Sequence, residues 1–160
     1  MSEAEPSTQA VVRPATAADR DLLVEFNRAM ARETEHRELD LETLRAGVAA
    51  LLGDPARGRV FVADVAGEAA GTLMLTYEWS DWRNGFFWWI QSVYVAPAHR
   101  RHGLYRLLHE HVRDLAAQTE GVFGLRLYVE RDNATAQATY RKMGMAETYY
   151  RLYEEAVRRD

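Results

Sequence analysis

Hydrophobic and polar positions change period several times along the chain. Val11 and Val12 read as a short strand stopped by Pro14. Beyond Thr16, a residue able to cap a helix, the apolar positions Leu22, Leu23, Phe26, Ala29 and Met30 recur at three- and four-residue spacing and predict a helix. ARETEHRE, residues 31 to 38, is its solvated exit. A second helix spans about Leu41 to Leu52 and stops at Gly53, Asp54 and Pro55. From Arg59 the period becomes two: RVFVADV, a turn at 66 to 68, and AAGTLMLTYEW form a hairpin. SDWRNG turns the chain again, Asn84 and Gly85 being the local signal, into GFFWWIQSVYVAP. That stretch is apolar on both faces until Gln91, as a covered central strand should be.

A helical stripe returns at about Gly103 with Leu104, Leu107, Leu108, Val112, Leu115 and Ala116. After Gly121, VFGLRLYV predicts a strand, NATAQATYRKM a helix, and AETYYRLYEEAV a final strand. The order β, α, α, β, β, β, α, β, α, β predicts an α/β chain with one mixed, mostly antiparallel twisted sheet and helices on both faces. No repeat or linker interrupts it, so a single domain over residues 9–158 is expected after a flexible polar tail, residues 1–8.

Composition narrows the chemistry. With 160 residues, 48% hydrophobic and 28% charged, the chain can bury one sizeable core. It has no cysteine, which excludes disulfides, thiolate metal sites and a cysteine nucleophile. MSEAEPSTQA does not read as a signal peptide and FFWWI is too short to cross a bilayer, so a cytoplasmic protein without membrane contact is expected. Net charge is −4, and the basic residues, all arginine except Lys142, are scattered rather than gathered on one face. That balance argues against nucleic acid as a partner. His99, His102, His109 and His111 form no H-x-x-x-H pair beside an acid; they read as surface histidines, and no metal is expected.

One stretch opposes the global charge. AHRRHGLYRLLHEH, residues 98 to 111, follows the central strand and opens the leucine-striped helix. A helix start presents N–H groups and a partial positive charge, Arg100 and Arg101 add donors suited to phosphate oxygens, and Gly103 admits a close backbone approach. These features describe a site for a phosphate-bearing ligand; an ordinary charged loop is the alternative.

RRHGLY, at the end of a V-x-V-x-P strand, resembles the R/Q-x-x-G-x-G/A signature of the GNAT N-acetyltransferase superfamily. NATAQATYRKMGM, residues 133 to 145, is similar to that family's N-x-x-A-x-x-x-Y-x-K-x-G-F/M pattern. The likeness extends over about residues 10 to 153 and leans toward the branch acting on polyamines and other small amines. It implies the GNAT fold and acetyl-CoA as donor. Val93 and Val95 would offer backbone groups to the thioester carbonyl and pantetheine arm, and Arg100, Arg101, His102, Gly103, Leu104, Tyr105 and Arg106 would surround the pyrophosphate. Asn133 would meet the pantetheine or cap its helix. Tyr105 departs from the signature's small residue: its ring either crowds the pyrophosphate or points away. The resemblance also makes a homodimer plausible, with TYYRLY either an interface or an ordinary strand.

Acetyl transfer to an amine needs a neutral nitrogen, a stabilised oxyanion and a proton for the departing thiolate. An alkylamine is only about one part in 10³ neutral at pH 7, a barrier of roughly 4 kcal/mol. The resemblance assigns proton donation to Tyr140. The small-amine branch tends to carry a glutamate two residues before the Val93 position, where this chain has Gln91, which either orients a water or bonds its neighbours. Glu78 is the substitute base. Trp79, Asp81 and Trp82 are candidates for an acceptor pocket, with Glu33, Glu35 and Glu38 as an opposite wall or a solvated face. The implied function is acetyl transfer from acetyl-CoA to a small amine or amino-acid-like acceptor by direct attack in a ternary complex. The alternative is a non-catalytic acyl-CoA-binding module of the same fold.

Overall fold

The computed structural model describes residues 9–158; the expected tail, residues 1–8, lies outside them. The chain forms two compact units, one ending at Leu127 and one beginning at Tyr128. In the first, five strands lie in sequence order, β1 (Ala10–Pro14), β2 (Arg59–Val65), β3 (Glu68–Ser80), β4 (Gly85–Val95) and β5 (Val122–Arg126). The first three pairings are antiparallel, whereas β5 runs parallel to β4. A parallel return needs a crossover, and helix α3 (Leu104–Gln118) supplies it.

Helix α3 buries its predicted stripe on one face of the sheet, where Leu104, Leu108, Val112 and Ala116 pack with Phe61, Leu73, Leu75, Trp88 and Ile90. On the other face α1 (Arg20–Glu35) and α2 (Leu41–Gly53) enclose a smaller core of Leu23, Val24, Val48 and Val60. Thr16 caps a short 3-10 turn, Ala17–Asp19, in a reciprocal box with Asp19, and α1 follows directly. Asp40 caps α2 by accepting from Thr43 N at 2.8 Å. Gly85 is fixed by space: a Cβ there would lie 2.4 Å from the carbonyl oxygen of Gly121.

One extra residue shapes β4. Leu75 pairs with Ile90 and Met74 with Ser92, so Gln91 is a β-bulge. The bulge shifts the side-chain alternation by one. Trp88 and Ile90 before it, and Val93 and Val95 after it, therefore all contribute to the α3 core.

The second unit holds α4 (Ala134–Lys142), which ends before Gly144 at a φ of 93°. Two expectations are corrected here. β5 stops at Arg126 instead of continuing to Val129, and AETYYRLYEEAV, residues 146 to 157, forms no strand. An extended segment becomes a strand only by pairing. This one does not, and Tyr149, Tyr150, Leu152, Tyr153 and Val157 are exposed.

Candidate functional site

The site grows out of the far end of β4. The β4–β5 ladder reaches only Trp89 opposite Arg126, and β4 continues to Val95. Ala96 N donates to the Ala70 carbonyl at 2.8 Å, so Tyr94 and Ser92, an even number of residues away, direct their backbone groups toward β3. Val93 and Val95 direct theirs to the opposite edge, where β5 has already ended.

Past Val95 the chain makes a 3-10 turn, Pro97–His99, and then two left-handed residues, Arg101 at a φ of 66° and Gly103 at 78°. Gly103 is the N-cap of α3 without a side-chain cap, and a Cβ there would meet no atom within 4 Å. The first helical bond runs from Leu107 N to Gly103 O at 3.0 Å. The amides of Leu104, Tyr105 and Arg106 therefore stand ahead of the ladder, where a helix has no acceptor of its own to give them. His102 and Arg101 are exposed beside them.

The charged side chains of the signature diverge. Arg101 is exposed, whereas Arg106 pairs with Glu110 at 2.7 Å on the outer face of α3. Arg100 turns back: its Nε donates to the Val95 carbonyl at 2.9 Å and its Nη2 to Glu33 of α1 at 2.6 Å. Tyr105 points along its own helix, where its hydroxyl and Nδ1 of His109 are 3.1 Å apart. That contact carries the ring away from the loop. His109 is 1% exposed, a correction to the surface position expected of it, and burial holds its pKa below the usual 6.5.

On the α1–α2 face, Gln91 Oε1 accepts from the Thr76 hydroxyl at 3.2 Å. Glu78 accepts from Trp89 Nε1 at 3.3 Å and from Arg126 Nη1 at 2.5 Å. Arg126, at the last paired position of β5, also lies 3.7 Å from the centroid of the Phe87 ring. Glu78 is thus an ion-paired carboxylate. Trp88 faces the core, but Trp79 and Trp82 are 57% and 89% exposed, and Asp81 accepts from the backbone of Trp82 at 3.0 Å. Both indoles are open to solvent. A small cavity of about 20 Å³ lies elsewhere, under α1 and α2, reached by Phe26, Met30, Thr72, Met74, Ser92 and Tyr94.

In the second unit Asn133 caps α4, its Oδ1 accepting from Ala136 N at 3.0 Å. Tyr140 is partly buried, and that burial raises its phenol pKa above 10.0. Its proton stays on through the neutral range.

Two participants escaped the sequence reading and a third was named there without its partners. Arg126 and Tyr94 had no motif to mark them, and the partner of Arg126 lies 48 residues away. Glu33 stood among acids read as a wall or a solvated face. Only the strand register brings Glu78, Trp89 and Arg126 together. Among the described residues no group of three or more His, Cys, Asp or Glu could hold a metal, and no helix is long and apolar enough to cross a membrane.

Residues 20–145 match the model of the Acetyltransferase (GNAT) family. That match covers more than half of the chain, and the chain belongs to this family. A solved structure described as a possible acetyltransferase from Clostridium difficile 630 is 43% identical, with a TM-score of 0.89 over 94% of this chain and 99% of that one. Streptothricin acetyltransferase from Streptomyces lavendulae is 39% identical over 95 residues, 59% of this chain and 48% of that protein. The chain thus aligns with about half the length of this curated relative. An aminoglycoside N-acetyltransferase in complex with CoA is 13% identical, with a TM-score of 0.78 over 96% of this chain and 99% of that one, a likeness of fold.

Proposed function

We propose that the chain transfers an acetyl group from acetyl-CoA to the amino group of a small molecule by direct attack in a ternary complex. The observation that carries this reading is the run of backbone groups from Val93 and the Val95 N–H, past β5, to the amides at the start of α3, the Val95 carbonyl being taken by Arg100. A pantetheine arm carries amides that can extend a strand edge, and a diphosphate suits uncapped N–H groups at a helix start. The turn of Tyr105 toward His109 supports the fit, because it leaves the departure from the signature out of the way.

Acetyl-CoA would supply the acyl carbon: a C–N bond forms, the C–S bond breaks, and one proton passes from the nitrogen to the thiolate. The chain's own residues hold and move that proton. Donation to sulfur is the role that the motif around Tyr140 implies, and burial keeps its phenol protonated. Gln91 cannot act as a carboxylate and Glu78 is paired with Arg126, so amine deprotonation runs through a water oriented by Gln91. A small-molecule acceptor accords with streptothricin in the name of the curated relative.

Thiol release from acetyl-CoA across a panel of amines tests the reading. Tyr140→Phe should lower kcat by about 10²-fold or more while coenzyme A still binds. Full activity in that variant would remove Tyr140 from the acid role. The second reading, an acyl-CoA-binding module without turnover, is favoured by the paired state of Glu78; it predicts coenzyme A binding and no thiol release with any amine.

A further inference from the structure

Arg100 opens the signature, yet its guanidinium is taken up by other parts of the chain. It is gripped from three directions. Nε donates to the Val95 carbonyl at the end of β4, and Nη2 donates to Glu33, two residues before the end of α1. The guanidinium carbon also lies 5.5 Å from the centroid of the Tyr94 ring. Tyr94 is itself fixed: it is 7% exposed, its ring stands 5.0 Å from that of Phe26, and its hydroxyl donates to the other oxygen of Glu33 at 3.1 Å. One carboxylate on α1 therefore holds both the strand that precedes the loop and the first arginine within it. A guanidinium committed to a carboxylate and a carbonyl has its plane set by both, and it brings little positive charge to a ligand elsewhere.

We propose that Glu33 and Arg100 form a strap that sets the conformation of residues 96–103, and that Glu33 is thereby a positioning residue for the acetyl donor without touching it. The strap ties the donor loop to the last turn of α1. It also anchors the residue just before Arg101, the first of the loop's two left-handed positions. The donor half of this inference rests on the acetyl-CoA reading; the strap itself does not.

Two measurements on the full chain separate them. Hydrogen exchange of the amides of residues 98–106 without ligand reports the loop directly. Calorimetric titration with coenzyme A reports the consequence. Glu33→Gln keeps the shape and removes the charge, and should speed exchange and raise the Kd for coenzyme A by about two- to fivefold each, as befits a partly exposed ion pair. Arg100→Lys should do the same, since an ammonium cannot reproduce the fork, and the double variant should be no worse than either single one. Unchanged exchange in Glu33→Gln would overturn the strap. So would additive losses in the double variant, or an effect confined to the KM of the amine, which would make Glu33 an acceptor ligand. Faster exchange with no coenzyme A binding even in the wild type would retain the strap and sink the donor reading.

Discussion

At the scale of single residues, a few positions have an environment that leaves little choice. Gly85 has no room for a Cβ beside the Gly121 carbonyl and the Phe123 ring. Gly85→Ala should cost about 1–3 kcal/mol, read as a lowered urea midpoint. The Tyr105–His109 contact has a different signature. Tyr105→Phe leaves a buried ring nitrogen without that hydroxyl, at a cost of about 1–3 kcal/mol. The imidazole also sets a pH dependence. Its folded pKa lies below the usual 6.5, first because of burial and then because of Arg113, with Glu110 opposing. The unfolded chain therefore takes up the proton more readily, so the contribution is complete above 6.5 and is lost as pH falls from there toward the folded value. The urea midpoint should decline on acidification through that window, and less steeply in His109→Gln. A small residue expected by the signature gave no hint of this pair; only the i, i+4 spacing of Tyr105 and His109 was readable.

At the scale of elements, β2, β3 and α3 were legible from their periods, and β4 as an apolar run opened by a clear turn. Leu108 is fully buried under the sheet, and Leu108→Ala should cost about 2–5 kcal/mol in equilibrium unfolding. The final strand was misread for a physical reason. Alternating aromatics mark a segment that could occupy a sheet, whereas strand formation is decided by a partner that the segment itself does not contain. The premature end of β5 is the same lesson in reverse. Leu125 and Leu127 continue the alternation, but nothing in VFGLRLYV reveals where its neighbour stops matching it. The turn after β4 and the glycine at the start of α3 were legible. The direction of Arg100 was not, because it is chosen by an acid 67 residues away.

At the scale of the whole molecule, charge works locally against a net −4. Arg13 is the clearest knot outside the site, joining β1 to Asp64 of β2 at 2.7 Å and to Asp19 ahead of α1 at 2.9 Å. The bond from Arg13 holds the Asp19 carboxyl below its usual 3.8, against the opposing effect of burial. A carboxylate of depressed pKa contributes stability that is present above 3.8 and lost as pH falls through the lower folded value. Acid unfolding should therefore begin below about pH 4, and Arg13→Met should flatten that limb of the curve. The basic loop survives in an acidic chain because its own charges are arranged by neighbours: one arginine exposed, one strapped and one paired along its helix.

The supernumerary residue in β4 makes an unusual deletion possible. Losing one amino acid from a central strand ordinarily turns everything beyond it inside out. Removing Gln91 instead regularises the pairing with β3 and returns every remaining side chain to the face it already occupies, leaving only a straighter strand. A chain of 159 residues built that way should still melt cooperatively, and on the proposed acetyl-CoA reading it should bind coenzyme A more weakly; circular dichroism beside a ligand titration would then separate local curvature from the packing needed to fold.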